Sequence, residues 1–118
     1  MVLAQNRLIE DRPELVQAFV NASIEGWRSY IYGDPSPGNK LILAANPDMR
    51  QDIIDQAIEQ IRQRGMLASP DTAKNGLGAM SAARWQSFFK IMSENGVYPT
   101  KLNWQNAFTT DFTNAGAP

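Results

Sequence analysis

Acidic side chains recur along one predicted helix of this chain. Asp48, Asp52, Asp55 and Glu59 follow one another at steps of three or four residues, which places them along one side of a helix. Hard cations take several oxygen ligands, so one interpretation of this row is a metal site. The alternative is a solvated face, because the aspartates lie near the positive end of the helix dipole and two arginines lie near its negative end. The charge distribution favours the solvated face, and we predict no metal site.

Two glycines precede another predicted helix. Gly76 and Gly78 are spaced as in the G-x-G-x-x-G loops whose backbone amides bind phosphate. Ser81 stands where the third glycine belongs, and no predicted strand precedes the loop. The pair therefore predicts a flexible connection before a helix rather than a phosphate site.

An arginine beside aromatic residues is the remaining candidate for ligand binding. Arg84 and Trp85 precede Phe88 and Phe89, and such a group can stack on an aromatic ligand or a nucleobase. The spacing 85, 88, 89, 92 is also that of one apolar helix face, which favours an aromatic core with an arginine at its edge. We name Arg84 and Trp85 as the candidate substrate-binding residues.

The composition excludes several kinds of chemistry from this chain. Its 118 residues include no cysteine and no histidine, so it has no thiolate, no disulfide and no imidazole base. No histidine is present to activate a serine, and we predict no catalytic residue and no cofactor. With 43% hydrophobic and 19% charged residues the chain is typical of a globular protein. A net charge of −1 without a basic cluster argues against a nucleic-acid partner.

The apolar pattern predicts four main helices. The first begins with Asp11 as its cap, carries a stripe from Leu15 to Ile31 and ends near Tyr32. Ser36-Pro37 predicts the start of the second, which ends near residue 45, and Asn46-Pro47 the start of the third; Ser81 predicts the cap of the fourth. The predicted apolar face of the third helix consists of Met49, Ile53, Ala57 and Ile61, with Ile54 and Ile58 beside them.

Two glycines predict where helices end. Gly65 and Gly96 stand where a residue with left-handed backbone closes a Schellman motif. The contacts expected at these ends are Met66 with Ile61 and Val97 with Met92. Residues 69–78 are predicted as a polar connector, and Asn103 as the cap of one further turn. The only strand candidate is residues 2–4.

These elements predict a mainly α chain of four to five helices. We expect one helical segment over residues 1–118, with a strand exit and linker at 1–11, a helical core at 12–108 and a tail at 109–118, frayed beyond Asn114. No apolar run approaches the length of a membrane span.

An ordered set of sequence phrases adds a family resemblance. The phrases are residues 76–85 (GLGAMSAARW) and 96–99 (GVYP), preceded by a long helix containing residues 12–27 and by residues 46–49 (NPDM). In this order, from about residue 2 to residue 112, the chain resembles the C-terminal third of substrate-binding proteins of ABC importers. The branch concerned binds thiamine pyrimidines, sulfonates and nitrate.

The resemblance implies a fold and a function. Members of this family are two to three times longer and have two α/β lobes around a ligand cleft, so the chain would be a fragment of the periplasmic-binding-protein type II fold. It would belong to a periplasmic solute-binding component, with its signal peptide upstream and an ABC permease as partner. The solute would be a thiamine pyrimidine precursor, a sulfonate or a related anion.

Two other function classes remain open. Fungal thiamine-pyrimidine synthases share the fold, but their chemistry needs histidine and metal-binding residues. The chain could instead be a free-standing helical interaction module. Because most of the sheet expected beneath these helices is absent from the chain, we also predict a homodimer buried through the first helix.

Overall fold

The computed structural model of the chain describes residues 2–113. These residues form six α-helices and one turn of 3-10 helix, and no strand is present among them. The elements are α1 (Asn6–Asp11), α2 (Pro13–Tyr32), α3 (Ser36–Ala45), α4 (Gln51–Gln63), α5 (Pro70–Asn75), α6 (Ala82–Glu94) and the 3-10 turn (Trp104–Ala107). The predicted mainly α class is therefore confirmed. None of the helices described has the length and apolar character needed to cross a membrane.

The chain divides into two compact units, where the sequence predicts one segment. The first unit is Met1–Ser69 and contains α1 to α4, and the second is Pro70–Pro118 and contains α5, α6 and the 3-10 turn.

The core of the first unit lies between α2 and α4. Ile31 of α2 is fully buried against Ile54 and Ile58 of α4. Their partly buried neighbours are Tyr30, Leu43, Met49, Ile61 and Leu67. The predicted face of this helix is therefore rotated: Ile54 and Ile58 form its centre, and Ile53 is 48% exposed. Adjacent isoleucines at 53 and 54 offer two apolar stripes, and packing on Ile31 selects one of them.

The start of α2 differs from the prediction. Asp11 is not its cap, because it is the last residue of α1, where its carboxylate lies 3.2 Å from Arg7 Nε. Arg12 occupies the cap position without a side-chain cap bond, and Pro13 begins the helix. Glu14 accepts a hydrogen bond from Arg12 Nε instead of completing a capping box, and this bond lowers the pKa of the Glu14 carboxyl. The end of α2 at Tyr32 is as predicted.

Asx-type turns precede α3 and replace the predicted start of α4. Ser36 does not cap α3, because it is the first residue of the helix and Pro35 occupies the cap position. The Asp34 carboxylate accepts the backbone N–H of Ser36 at 2.9 Å, and hydrogen bonding from Ser36 lowers the pKa of Asp34. The Asn46 side-chain oxygen accepts the N–H of Asp48 at 3.2 Å, which closes a turn there. As a result α4 begins at Gln51, five residues after the predicted start.

Two polar contacts join elements of the first unit. The Tyr30 hydroxyl donates to the buried Asn39 side-chain oxygen at 2.7 Å, which connects α2 to α3. Arg62 Nε donates to the backbone carbonyl of Ile31 at 2.6 Å, so that the end of α4 caps the end of α2.

Both predicted Schellman ends are confirmed. Gly65 has φ of +56° and Gly96 has φ of +73°, the left-handed region where glycine is favoured. After α4 the N–H of Met66 bonds the carbonyl of Ile61 at 3.0 Å, and that of Gly65 bonds Arg62 at 3.1 Å. After α6 the N–H of Val97 bonds the carbonyl of Met92 at 2.9 Å, and that of Gly96 bonds Ser93 at 3.0 Å. The two helix ends are therefore fixed by one local rule.

The short segments are where prediction fails. Residues 2–4 are not a strand, because no neighbouring strand exists within residues 2–113, and Leu3 is 82% exposed. The linker predicted at 1–11 contains α1, and the polar connector at 69–78 contains α5. The predicted turn after Asn103 is present, although the Asn103 side chain makes no cap bond. The fraying predicted beyond Asn114 lies outside the described residues.

Candidate functional site

The N-terminus of α6 is fixed by a serine that also contacts α5. Ser81 has extended backbone, with φ of −129° and ψ of 146°, and its hydroxyl oxygen accepts the N–H of Arg84 at 3.4 Å. This confirms the predicted cap. The same hydroxyl donates to the Asp71 carboxylate at 3.0 Å. Asp71 therefore connects α5 to the start of α6.

Arg84 faces this acidic side chain. Its Nη1 lies 3.7 Å from Asp71 Oδ2, and the two side chains are 65% and 20% exposed. The guanidinium thus reaches solvent, but the nearby carboxylate balances its charge. A ligand anion at Arg84 would compete with Asp71 for the same donors.

Trp85 belongs to an aromatic cluster. Its ring is stacked on Phe108, with centroids 5.0 Å apart and planes 7° apart, and it meets the edge of Phe88 at 6.4 Å. Arg84 is therefore directed to α5 while Trp85 is directed to the residue after the 3-10 turn. The two candidate residues are neighbours in sequence but contact different partners, so they do not form one converging site.

The aromatic cluster continues through the 3-10 turn. Trp104 is parallel to Phe108, with centroids 6.3 Å apart, and lies 6.4 Å from Phe89 at an interplanar angle of 25°. Phe88 also meets Tyr98 at 6.4 Å. Every residue of α6 is described, and none of them is fully buried. The second unit is thus held together largely by half-exposed rings.

An open groove lies beside Phe89 and Trp104. It has a volume of about 570 Å³ and is lined by Gln86, Ser87, Phe89, Lys90, Ser93, Glu94, Thr100 and Trp104. Lys90 Nζ lies 3.8 Å from Glu94 Oε1 at its edge. The Ser93 hydroxyl oxygen is buried and has no hydrogen-bond partner within residues 2–113. The groove is thus lined by two rings, one charge pair and several hydroxyl-bearing side chains, and it is open to solvent.

Sequence reasoning did not identify this groove. Phe89 appears in the sequence only as part of an apolar face, and Trp104 lies 15 residues further along the chain. No periodicity connects a helix to a 3-10 turn across the loop between them. The pairing becomes visible only when the chain folds back after Pro99.

The acidic row of the first unit has partners of its own. Arg50 forms two bonds with Asp52, Gln51 Nε2 donates to Asp55 at 2.7 Å, and Gln63 Nε2 donates to Glu59 at 2.8 Å. No group of three or more potential metal ligands occurs in the part of the chain that the structure describes. The solvated-face interpretation accounts for the row.

The glycine pair lies between two helices. Gly76 and Gly78 have φ of +89° and +85°, and the loop follows α5 rather than a strand. The N–H of Gly76 bonds the carbonyl of Thr72 at 2.9 Å, which ends α5. The loop therefore serves as a connection between α5 and α6, as the sequence predicts.

Together these features define a mainly α chain with an open groove beside Phe89 and Trp104. Comparison with known proteins adds no relative: no family model, no curated protein and no solved structure matches the chain. The family resemblance therefore depends on the sequence phrases, and its functional meaning is a proposal.

Proposed function

We propose that the chain is the C-terminal helical part of the solute-binding component of an ABC-type importer. The observation that carries the proposal is the ordered pair of phrases at residues 76–85 and 96–99. These phrases lie at the two ends of α6: the first contains the loop and the Ser81 cap, and the second contains the Gly96 end. The two phrases that carry the resemblance thus coincide with the start and the end of α6.

The exposure of α6 supports this proposal. Phe88 is 44% exposed and Ile91 is 57% exposed, although both lie on a helix with bulky apolar residues. A contiguous group of exposed apolar side chains, unlike a single one, marks a surface that another element or a partner covers, and Phe88 and Ile91 are neighbours three positions apart on α6. In a two-lobed α/β protein, the cover would be the parallel sheet against which such a helix packs.

The proposed activity is binding and delivery rather than catalysis. The complete protein would capture a thiamine pyrimidine precursor, a sulfonate or a related anion in the periplasm and present it to an ABC permease. Closure of two lobes around the solute would be a hinge motion. Most of the cleft would be supplied by chain preceding these helices.

A titration pair tests the proposal. We expect no heat of binding when the 118-residue chain is titrated with thiamine pyrimidines, alkyl sulfonates, taurine or nitrate. The same titration on the complete reading frame that encodes these helices should give a dissociation constant of about 1 μM or below for one of them. Genes for a permease and an ATPase beside that frame would agree. Micromolar binding by the short chain would refute the incomplete-site interpretation.

A substitution pair tests the missing cover directly. Ile91→Ser should change the stability of the 118-residue chain by less than about 0.5 kcal/mol, because the side chain is mostly exposed. In the complete protein, where a sheet would bury Ile91, the same change should cost about 2–3 kcal/mol. Lys90→Ser on the same helix is the matched control, since the Lys90 side chain is 73% exposed. It should leave the free energy of unfolding unchanged in both the 118-residue chain and the complete protein. Equal effects of Ile91→Ser in both proteins would contradict a covering sheet.

A second candidate function is a free-standing helical interaction module. The observation that favours it is the exposure of two large apolar side chains of α2, Leu15 at 47% and Phe19 at 60%. A chain that folds stably, has no solute and self-associates through these side chains would support the module. Melting curves of the isolated chain combined with the titrations above separate the two candidates.

A further inference from the structure

Buried apolar side chains are distributed unequally between the two units. In the described part of the second unit, residues 70–113, Ala79 is the one buried residue, and its side chain is a single methyl group. The first unit buries larger groups, namely Val16, Val20, Ile31, Ile54 and Ile58. Because burial of apolar area is the dominant favourable contribution to folding, most of that contribution lies in the first unit.

Aromatic rings that remain in contact with solvent stabilise the second unit instead. Trp85, Phe89, Trp104 and Phe108 are only partly buried, although they stack on one another. A ring in such a position removes only part of its area from water. None of these four rings is fully buried, unlike Ile31 in the first unit. The ring stacks therefore orient α6 and the 3-10 turn without a closed apolar core beneath them.

The helices of the second unit are also short. Helix α5 has 6 residues and α6 has 13, and isolated helices below about 12–15 residues are marginal in water. Helix α2 of the first unit has 20 residues, and the Arg62 hydrogen bond to Ile31 fixes its end. Domains as small as the second unit are commonly stabilised by a disulfide, and the chain has no cysteine.

The polar contacts at the start of α6 are local. Asp71 accepts a hydrogen bond from the Ser81 hydroxyl, 10 residues later in the chain, whereas the bond between Arg62 and Ile31 spans 31 residues. Arg84 lies 3.7 Å from Asp71 and its side chain is 65% exposed, so water screens this ion pair. These contacts can therefore break and form again without any change in the first unit.

We infer that the second unit is a separately opening element: in the 118-residue chain it unfolds and refolds while the first unit stays folded. Cooperative segments with few buried apolar contacts open in this way, at a lower free energy than the whole chain. Opening separates the stacked rings, releases the Ser81 cap and removes the groove beside Phe89. The chain thus alternates between a closed state that has the groove and an open state that does not.

Any molecule that covers α6 favours the closed state. A ligand or partner that binds only the folded form shifts the equilibrium toward it by mass action. In the complete protein the preceding lobe would be this cover, a step that rests on the proposed transport function. The second unit would then be ordered in the complete protein and would open in the short chain. The opening itself follows from the distribution of buried residues and needs no cover.

Native-state hydrogen exchange measures the opening. The 118-residue chain is placed in deuterated buffer without denaturant, and peptides from α4 and α6 are followed by mass spectrometry. The slowest amides of α6 should exchange at least about tenfold faster than the slowest amides of α4. Equal rates in the two helices would show that the chain opens as one cooperative structure, and would overturn the inference.

One substitution in each unit tests their independence. Ser81→Ala removes the cap of α6 and the donor to Asp71, and should speed exchange in α6 at least about threefold. Tyr30→Phe leaves the buried Asn39 oxygen without its hydroxyl donor, and should speed exchange in α4 at least about threefold. Each variant should leave the other helix unchanged within about twofold. A variant that speeds exchange equally in both helices would contradict separate opening.

Measurement of the complete reading frame separates this inference from the transport proposal. If the preceding lobe covers α6, its slowest amides should exchange at least about tenfold more slowly there than in the 118-residue chain. An unchanged α6 rate in the complete protein would contradict the transport proposal alone. Equal protection of α4 and α6 in the short chain would overturn the separately opening unit alone, because that comparison involves no other part of the protein.

Discussion

Replacement of Arg62 by methionine should destabilise the first unit through one long-range hydrogen bond. Arg62 Nε donates at 2.6 Å to the carbonyl of Ile31, 31 residues earlier in the chain. That carbonyl is one of the last four of α2, which have no partner within the helix itself. Methionine retains the apolar stem of the side chain and removes the donor and the charge.

The expected loss is about 1–2 kcal/mol. A hydrogen bond to a charged group contributes about 1.5–3 kcal/mol, and a cation near a helix C-terminus adds a few tenths. The lower part of the range applies because Arg62 is itself exposed and water can replace part of the bond. Since about 1 kcal/mol corresponds to roughly 4–8 °C for a domain of this size, the melting temperature should fall by roughly 5–15 °C.

Arg64→Met is the matched control for the assay. Both changes remove one positive charge from the end of α4, but Arg64 Nε donates only to the exposed Gln60 side chain of its own helix, at 3.0 Å. Such a pair contributes less than about 0.5 kcal/mol. Urea unfolding followed by circular dichroism should therefore place the Arg62 variant at least about 1 kcal/mol below the Arg64 variant. A difference under about 0.3 kcal/mol would refute the capping role of Arg62.

Two further predictions concern backbone conformation and pH. Gly96→Ala should lower the free energy of unfolding by about 1–2 kcal/mol, because alanine is disfavoured at φ of +73°. Gly26→Ala, inside α2, should raise the free energy of unfolding by up to about 1 kcal/mol in dilute solution. Thermal melts in which both variants shift in the same direction would contradict this prediction. Hydrogen bonds from Arg12 and Ser36 hold the pKa values of Glu14 and Asp34 below 4.5 and 3.8. The two hydrogen bonds thus stabilise the folded chain above these ordinary pKa values, and that stabilisation is lost as pH falls through the lowered pKa values of the folded chain. Helicity should therefore stay constant from about pH 8 to about pH 5 and decrease below about pH 4. Glu14→Gln and Asp34→Asn should each make the loss of helicity at low pH smaller. A midpoint of that loss above pH 5 would argue against a role for these two carboxylates.

Helix ends were predictable where a local rule fixes them. Gly65 and Gly96 each need a left-handed backbone followed by an apolar residue, and the resulting bonds span only five residues. The Ser81 cap is equally local. The predicted start of α4 was wrong because a competing local hydrogen bond exists. Asn46 can either cap a helix or close a turn, and the local sequence does not decide between the two.

Long-range choices were not predictable from periodicity. Isoleucines at 53, 54 and 58 fit two faces of α4, and only the position of Ile31 decides which of them is buried. The groove beside Phe89 depends on Trp104 for the same reason. The candidate residues Arg84 and Trp85 lie on the aromatic helix, as the sequence predicts. Their contact partners, Asp71 and Phe108, could not be predicted, because no spacing in the sequence connects them to this helix.

The exposed apolar faces of α2 and α6 have different explanations and can be tested separately. If Ile91 becomes buried only in a complete two-lobed protein, α6 packs against a sheet that the 118-residue chain does not supply. That conclusion would hold whether or not α2 forms a contact of its own. If Phe19 governs association of the short chain, α2 carries a contact that needs no upstream lobe. A positive result for both would mean that one helix packs inside a lobe while another joins copies of the protein. A positive result for α2 alone would favour the helical interaction module, because Leu15 and Phe19 are exposed on a helix of the short chain itself.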